Sequence, residues 1–436
     1  MPEFTPPLVM SIHGIRTHAE WQITLSEALN AAGIQFKHRR FGYYPVTSFV
    51  RDAKNQKHVD QFVTWYNDRI KEMPGKVNLD DPAARPSIIG HSFGSFVVGY
   101  AMLKYPEIKF DKIIFCGCIL PPDFDWHTLF VRDQVARVRN ECGGKDIWAA
   151  SAKYFVRGTG AAGRIGFGGL GNRCRDEFYD YQKHSDFFTP NHIEQTWLPF
   201  LKLPPPQHRI VHGGDIGGTP EMQRLIHRTR AIDRVRYGPV PLHERVAIPY
   251  RYSERWRAVN PDIYTFLVDR ATSKACGYIN AMPLEDWAYQ AVTTGELLDP
   301  QIPGEAVVPY LSDQRLKIYV MSIAVAKGKK RESAGLFNEP VETLFDAFFW
   351  KLRNYARRNI RVTEVAAIGW TPEGSRMCES LFGMRQEGEI TVNSADGSKV
   401  VKHPVYKLKL DPSAVGKPAL RYRGLRKLLD TYATMT

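Results

Sequence analysis

In the first half of the 436-residue chain, apolar residues cluster in short runs separated by longer stretches of mixed character. The clearest runs lie at 8–12, 86–89 and 112–118, and a more polar run follows at 134–139. Short apolar runs bounded by turn residues are typical of strands buried on both faces, as in parallel sheets. The pattern predicts an α/β fold whose mostly parallel sheet has about five strands.

The second half of the chain has a different pattern, in which strands form hairpins and alternate with amphipathic helices. Strand-like runs at 265–269 and 275–284 flank a turn-rich stretch, as in a β-hairpin. Between 341 and 357, Leu and Phe recur at helical spacing. These features predict an α+β fold, with further strands at 316–325, 362–368 and 403–410.

A proline-rich segment separates the two patterns. Pro204, Pro205 and Pro206 follow an apolar stretch, and consecutive prolines end a helix and stiffen a connector. We therefore expect an α/β domain over residues 1–203, a connecting or docking segment over 204–244 and an α+β domain over 245–436.

The sequence GHSFG at 90–94 lies directly between the strand predicted at 86–89 and a helix-like stretch at 95–101. In a strand-turn-helix context, G-x-S-x-G forms a tight turn that lifts the serine side chain above the sheet edge. The first amides of the helix then point toward any oxyanion that forms there. The motif alone is weak, but its flanks make Ser92 the candidate nucleophile.

The strand predicted at 8–12 ends in His13 and Gly14. A glycine after an early strand lets the amide of the next residue, Ile15, face a reacting carbonyl. Ile15 and Phe93 are therefore the candidate oxyanion donors. The alternative is that His13 is a core or turn histidine and Gly14 an ordinary loop residue.

A nucleophilic serine also needs an acid and a base, which follow it along the chain in this type of site. Asp146, in the loop after the fourth predicted strand, is the candidate acid. Asp123 and Asp125, one strand earlier, are alternatives, although both are expected to be turn residues. The candidate base is His184, and His192 is close enough along the chain to be a rival.

Over about residues 5–200 the chain resembles the α/β-hydrolase superfamily, on the HG pair, the GHSFG motif, Asp146 and the His184-Ser185 pair. The resemblance implies that Ser92 attacks, that His184 takes and returns the proton, and that Asp146 fixes the imidazole tautomer. The two antiparallel strands that normally precede the HG strand are missing. The expected sheet is therefore a minimal one.

Over about residues 245–410 the chain resembles the GNAT family of N-acetyltransferases. The resemblance rests on the hairpin at 268–279, the strand at 319–325, the helix and corner at 371–384 and the last strand at 404–406. It implies a splayed pair of parallel strands, with the pantetheine arm of acetyl-CoA bonded to the backbone of Ile323, Ala324 and Val325.

The phosphate-binding part of that family's motif is altered in this chain. The usual Q/R-x-x-G-x-G/A sequence is replaced by RESAGL at 331–336, inside a longer insert. The resemblance implies pyrophosphate contacts from Arg331 and the amides near Gly335, with Lys329 and Lys330 beside them. Acetyl-CoA is therefore the expected cofactor of the second domain, and the alternative is that this domain has lost its cofactor together with the motif. None is expected for the hydrolase.

Composition narrows the functional classes. The formal net charge is +13, but the basic residues are dispersed and no nucleic-acid-binding motif is present. Most of these residues are expected on solvated faces, and the charge fits anionic small molecules such as coenzyme A, nucleotides or acidic lipids equally well. The six cysteines are scattered, without metal-site spacing or a disulfide framework. With neither a signal-like start nor an apolar stretch of about 18 residues, we expect a cytoplasmic protein without a membrane span.

The predicted function is that of a serine hydrolase, which cleaves an ester, thioester or amide of a small-molecule or acylated substrate through an acyl-serine intermediate. An acetyl-CoA-dependent acyltransferase activity is predicted for the second domain. The alternative is a ligand-sensing or scaffold protein that uses both folds for binding. Residues 41–45 and the glycine-rich stretch at 158–171 are the expected pocket walls, the second as a mobile flap.

Overall fold

The computed structural model describes residues 4–13, 20–39, 52–148, 158–167, 173–216, 218–237, 250–326, 339–380, 382–393, 400–411 and 423–435. The chain divides into two compact units, Met1–Pro206 and Gln207–Thr436.

The first unit is built on a parallel sheet with the spatial order β2-β1-β3-β4-β5-β6. Every pairing in it is parallel. The strands are β1 (Val9–Ile12), β2 (Phe36–Arg39), β3 (Ser87–His91), β4 (Phe110–Cys116), β5 (Val135–Gly143) and β6 (Cys174–Tyr179). The central strands β3 and β4 are buried along their whole length, as their apolar runs predict.

The two outer strands of this sheet were not predicted, so the described sheet has six strands instead of about five. β2 (FKHR) and β6 (CRDEFY) are mostly polar and partly exposed. Edge strands bury less of each face, and their sequences therefore lack the continuous apolar run by which the inner strands are recognised.

Helices cover the first sheet, and the last of them lies shortly before the second unit begins. They are α1 (Glu20–Ala31), α2 (Asp52–Glu72), α3 (Phe93–Lys104), α4 (Trp126–Val131), α5 (Ala162–Ile165), α6 (Pro190–His192) and α7 (Leu198–Leu201), with a π-helical turn at Ile193–Trp197 between the last two. α3 is the most deeply buried, with Phe96, Val97 and Val98 all in the core.

The second unit is built on a mixed sheet with the spatial order β12-β13-β11-β10-β9-β8-β7. Its strands are β7 (His208–His212), β8 (Tyr264–Asp269), β9 (Ala275–Leu284), β10 (Arg315–Val325), β11 (Arg361–Ile368), β12 (Arg385–Asn393) and β13 (Val400–Lys409). β10 and β11 pair in parallel, and all other neighbours pair antiparallel.

Helices of the second unit bury apolar side chains on both faces of this sheet. They are α8 (Thr219–Tyr237), α9 (Tyr250–Val259), α10 (Asp286–Thr294), α11 (Glu339–Ala356), α12 (Pro372–Ser380) and α13 (Arg423–Ala433). The aromatic residues of α11, including Phe345 and Phe348, belong to this core.

The segment expected as a connector, 204–244, contains β7 and the whole of α8 within its described part. β7 pairs with β8 through His208↔Asp269 to His212↔Thr265 and forms the edge of the second sheet. The predicted fold class is confirmed: an α/β unit with a parallel sheet is followed by an α+β unit with a mixed sheet. Within the described residues, no helix has the length and apolar character needed to cross a bilayer.

Candidate active site

Ser92 occupies the turn between β3 and α3 with a backbone conformation that non-glycine residues rarely adopt, φ 54° and ψ −122°. Its amide donates to the Cys116 carbonyl at the end of β4 over 3.1 Å. Its carbonyl accepts from the Ser95 amide at 2.9 Å and from Ser95 Oγ at 2.6 Å. The turn is thus held by its neighbours in the nucleophile-elbow geometry that the sequence predicts.

The two glycines of the GHSFG motif are required by close approaches on either side of the turn. A Cβ on Gly94 would lie 2.6 Å from the Ile12 carbonyl oxygen on β1. A Cβ on Gly90 would lie 2.9 Å from the ring of Phe115 on β4. Both distances are shorter than the contacts that real Cβ atoms make with their neighbours. The two glycines of the motif therefore allow α3 and β3 to pack closely against the neighbouring strands.

His184 and Asp146 meet at the carboxyl edge of the first sheet. His184 Nδ1 lies 2.8 Å from Asp146 Oδ2, with the carboxylate fully buried and the imidazole 16% exposed. Two backbone bonds join the loops that carry them, from Gly144 to the Tyr179 carbonyl and from Lys145 to the Gln182 carbonyl. A carboxylate only accepts, so this contact places the proton on Nδ1 and leaves Nε2 to accept another.

The His184 ring also lies against the backbone just beyond β4. A Cβ on Gly117 would come within 2.7 Å of the ring atoms Cε1 and Nδ1. Gly117 has φ +55° and follows Cys116, whose carbonyl receives the Ser92 amide. The imidazole and the serine turn are therefore both fixed to the end of the same strand.

His91, which precedes the serine, has a role that the sequence did not reveal. It is fully buried, and its ring centroid lies 4.8 Å from that of His184. Its Nε2 is 3.2 Å from the His184 carbonyl oxygen, to which it donates, since a carbonyl cannot. His91 therefore anchors the backbone of the residue expected to be the base.

Burial, and then the charges of His184 and His13, hold the pKa of His91 well below its usual 6.5. His91 stays neutral in the fold, whereas the unfolded chain binds a proton there as the pH falls. The free energy of unfolding therefore decreases as the pH falls below 6.5. A neutral His91 also does not repel the positive charge that forms when His184 becomes an imidazolium.

His91→Gln, which keeps a donor but cannot titrate, should flatten the acid side of the stability curve. Below pH 6.5 the free energy of unfolding of the wild type should fall more steeply than that of the variant, by up to about 1.4 kcal/mol per pH unit. Urea unfolding at several pH values measures this, with the exposed His38→Gln as the control. Parallel curves for wild type and His91→Gln would refute the assignment.

The rival histidine has a different partner. His192 Nε2 lies 3.2 Å from Glu141 Oε2, and the same carboxylate accepts from Arg139 Nε at 2.5 Å and from Trp197 Nε1 at 3.2 Å. Burial would raise the pKa of Glu141, but the His192 hydrogen bond and the Arg139 charge outweigh it and lower that pKa. Glu141 on β5 is thus joined to α6 through His192 and to the π-helical turn through Trp197.

The rival carboxylates lie in a turn, as expected of them. Asp125 accepts from the Thr128 amide at 3.2 Å and from Thr128 Oγ1 at 2.7 Å, and so caps α4. Asp123 lies near Tyr100, whose pKa is raised first by burial and then by the Asp123 charge.

One of the two predicted oxyanion donors is within the described part of the chain. Phe93 is the first residue of α3 and directly follows Ser92, so its amide lies at the N-terminal end of the helix. Ile15 and Gly14 lie outside the described residues. β1 pairs with β3 through Ile12↔Gly90. The end of β1, which leads toward Gly14 and Ile15, therefore lies beside the end of β3, which leads to Ser92.

The expectation of a mobile flap at 158–171 needs correction for its described part, residues 158–167. The amides of Gly160, Ala162 and Gly163 donate to the carbonyls of Ile119, Leu120 and Cys118. A single helical turn, α5, forms at Ala162–Ile165 despite the glycines. Backbone bonds to an adjacent buried segment fix this stretch. The other expected pocket wall, 41–45, lies outside the described residues.

In the second unit, the predicted cofactor segment lies where the parallel strand pair ends. The register of β10 with β11 extends to Val320↔Ala367, while β10 continues alongside β9 to Val325↔Gly277. Ile323, Ala324 and Val325 belong to this continuation. Arg331 and Gly335 lie outside the described residues.

Comparison with known proteins gives fold-level likenesses only. No protein-family model and no curated protein matches the chain. An uncharacterised protein from Bacillus cereus is similar over 45% of this chain (15% identity, TM-score 0.31), and the match spans 60% of that protein's length. An inferred hydrolase of the alpha/beta superfamily from Xanthomonas campestris is similar over 44% of this chain and 98% of its own (12% identity, TM-score 0.29).

A third structure is similar to 49% of this chain and 99% of its own length, with 11% identity and a TM-score of 0.28. It is an inferred acetyltransferase from Salmonella typhimurium, solved with its cofactor acetyl-CoA. At this level of similarity, the chemistry has to be argued from the chain's own residues.

Proposed function

We propose that the first unit is a serine hydrolase that cleaves an ester, thioester or amide through an acyl-Ser92 intermediate. The observation that carries this proposal is the 2.8 Å hydrogen bond between His184 and the buried Asp146, formed by residues 38 positions apart. The strained elbow at Ser92 supports it, since such a backbone persists only where its surroundings impose it.

In the proposed reaction, Ser92 Oγ attacks the substrate carbonyl while His184 Nε2 takes the hydroxyl proton. Nδ1–H stays bonded to Asp146, which stabilises the imidazolium without itself being protonated. The amide of Phe93, with Ile15 as the second donor, stabilises the tetrahedral oxyanion. The leaving group departs with the proton from His184, and water then repeats the sequence to release the acid and restore Ser92.

For the second unit we propose acyl transfer from acetyl-CoA. The position of Ile323, Ala324 and Val325 supports this, because they continue β10 beyond the end of its parallel pairing with β11, at Val320↔Ala367. Arg331 and the amides near Gly335 would hold the pyrophosphate. When bound, acetyl-CoA supplies an activated thioester.

Acylation with p-nitrophenyl acetate, followed by intact-protein mass spectrometry, tests the hydrolase proposal. Wild-type protein quenched in acid should carry one acetyl group, mapped to Ser92, and Ser92→Ala should carry none. His184→Gln should acylate at least about a hundredfold more slowly, because it lacks the base. His192→Gln is the matched control, since it removes an imidazole that is bonded to Glu141.

Acylation at another residue, or equal rates for the two histidine variants, would contradict the assignment. If folded wild-type protein is not acylated but binds substrate-like esters, the first unit acts as a ligand-sensing module instead.

A further inference from the structure

The hydroxyl of Ser95 makes two hydrogen bonds to which the proposed reaction gives no role. Ser95 lies in the first turn of α3, three positions after Ser92, and is fully buried. Its Oγ donates to the Ser92 carbonyl oxygen over 2.6 Å and accepts from the Ile119 amide over 3.1 Å. The hydroxyl therefore bridges the serine turn and the segment that follows β4.

A second hydrogen bond joins the same two segments. The Ser92 amide donates to the Cys116 carbonyl at the end of β4. The two connections therefore reach the β4 segment on either side of Gly117, at Cys116 and at Ile119. Gly117 is the residue against which the His184 ring packs, since a Cβ there would lie 2.7 Å from the ring. The seat of the candidate base thus lies between two connections to the candidate nucleophile.

The segment after β4 is also held from the glycine-rich stretch. The Ile119 carbonyl accepts from the Gly160 amide over 2.8 Å, and the Cys118 carbonyl accepts from the Gly163 amide over 2.7 Å. A Cβ on Gly163 would lie 2.3 Å from the Cys118 nitrogen, so the two backbones are in close contact. The position of Ile119 is therefore fixed, and its amide transmits that position to the serine turn through Ser95 Oγ.

We propose that Ser95 is a positioning residue, whose hydroxyl fixes the distance between the Ser92 turn and the seat of the His184 ring. This inference rests on the proposed hydrolase function and adds a residue that sets the geometry of its reaction. Ser95 acts through the backbone groups of Ser92 and Ile119. A base has to lie within hydrogen-bond reach of the proton it takes, so a misplacement of about 1 Å slows the step about a hundredfold.

Serine is suited to this bridge because a hydroxyl donates one proton and accepts through its lone pairs. It can therefore satisfy a carbonyl and an amide at the same time. Without the hydroxyl, the Ile119 amide would lose this acceptor, whereas the Ser92 carbonyl would keep its 2.9 Å bond to the amide of residue 95. Loss of the hydroxyl should thus loosen the bridge while the turn itself stays formed.

Three variants at position 95 separate the effect of the hydroxyl from that of side-chain volume. Ser95→Ala removes the hydroxyl. Ser95→Cys keeps a side chain of similar size, but a thiol is a weak donor and a weak acceptor. Because Cys118 lies beside this position, the cysteine variant is handled with a thiol reductant. Ser95→Thr keeps the hydroxyl, and a helical threonine can bond the carbonyl three positions earlier, which here belongs to Ser92.

Ser87→Ala is the matched control. Ser87, on β3, is also fully buried, and its Oγ has no hydrogen-bond partner in the part of the chain that the structure describes. Removing this hydroxyl breaks no hydrogen bond. Acylation and the midpoint of thermal unfolding should therefore both stay close to wild type.

The test measures acylation by p-nitrophenyl acetate in a stopped-flow instrument, over a range of ester concentrations and pH values. Ser95→Ala and Ser95→Cys should acylate about 10- to 100-fold more slowly at saturating ester, with an unchanged half-saturating concentration. The pH midpoint of the rate should not move, because the bond between His184 and Asp146 is untouched. Ser95→Thr should acylate at close to the wild-type rate. Two substitutions remove the bridge, so the test stands if one of them does not fold.

The outcomes separate this inference from the hydrolase proposal. If wild-type protein is not acylated at Ser92, the hydrolase function is refuted, and the role of Ser95 with it. If wild-type protein is acylated and the folded Ala and Cys variants keep its rate, Ser95 does not position the nucleophile and the hydrolase assignment stands. The same conclusion follows if folded Ser95→Thr is slowed as much as Ser95→Ala, or if only the half-saturating concentration changes.

Discussion

Asp146→Asn should lower ester turnover by the first unit by about 10⁴-fold while leaving the fold intact. The asparagine can present its amide to His184 Nδ1, which then loses its proton and accepts. The remaining proton moves to Nε2, the atom that must take the Ser92 proton, so that the imidazole is held in the wrong tautomer. Initial rates with p-nitrophenyl acetate, together with thermal unfolding, measure both parts of this prediction.

Asp125→Asn is the matched control for that variant. Asp125 is the competing carboxylate one strand earlier, and it caps α4 through Thr128. Asparagine caps a helix about as well as aspartate, so stability and turnover should both stay close to wild type. A large loss of turnover in Asp125→Asn, or a loss below tenfold in Asp146→Asn, would overturn the assignment of the acid.

Gly94→Ala should destabilise the first unit by about 3 kcal/mol, at the upper end of the effects of overpacking. The new methyl group would lie 2.6 Å from the Ile12 carbonyl oxygen and 3.0 Å from its Cγ2, so α3 has to move away from β1. Backbone cannot yield as a flexible side chain can. The midpoint of thermal unfolding should fall by about 6 to 12 °C for a unit of this size.

The same displacement shifts Ser92 relative to the end of β1, and acylation should slow as well. Gly388→Ala is the control, because a Cβ there meets nothing within 4 Å and the residue is exposed. It should change stability by less than about 0.5 kcal/mol. Equal stability of Gly94→Ala and wild type would show that the elbow does not require the close approach to Ile12.

The serine turn could be predicted because its determinants are local. The strand, the GHSFG motif and the helix lie within a short contiguous stretch. Each close approach at the turn occurs at a glycine of the motif. The pairing of Asp146 with His184 was expected from the resemblance to the α/β-hydrolase superfamily and from its chain order of serine, acid and base. In the structure the two side chains are joined by a hydrogen bond.

Other features depend on contacts between residues that are distant in sequence and have no local pattern. His91 acquires its anchoring role only when the loop at His184 folds over it, 93 positions away. The hydrogen bonds of the Tyr278 hydroxyl with Asp233 and with Ser322 join positions 45 and 44 apart on three elements. α8 itself lies in a segment whose mixed composition did not assign it to either sheet.

Glycine content also misled the prediction for 158–167. Composition indicates how much conformational freedom an isolated segment has. In the folded protein, three backbone hydrogen bonds to Ile119, Leu120 and Cys118 restrain residues 158–167. Such bonds depend on where β4 ends, which the segment's own residues do not encode.

Labelling with a fluorophosphonate probe tests the central claim most directly, because the reagent reacts with a serine only when its hydroxyl is activated. Purified wild-type protein should take up one equivalent on the peptide that contains Ser92, and Ser92→Ala should take up none. Folded wild-type protein that stays unlabelled, or labelling that survives in Ser92→Ala, would contradict the assignment of Ser92 as an activated nucleophile.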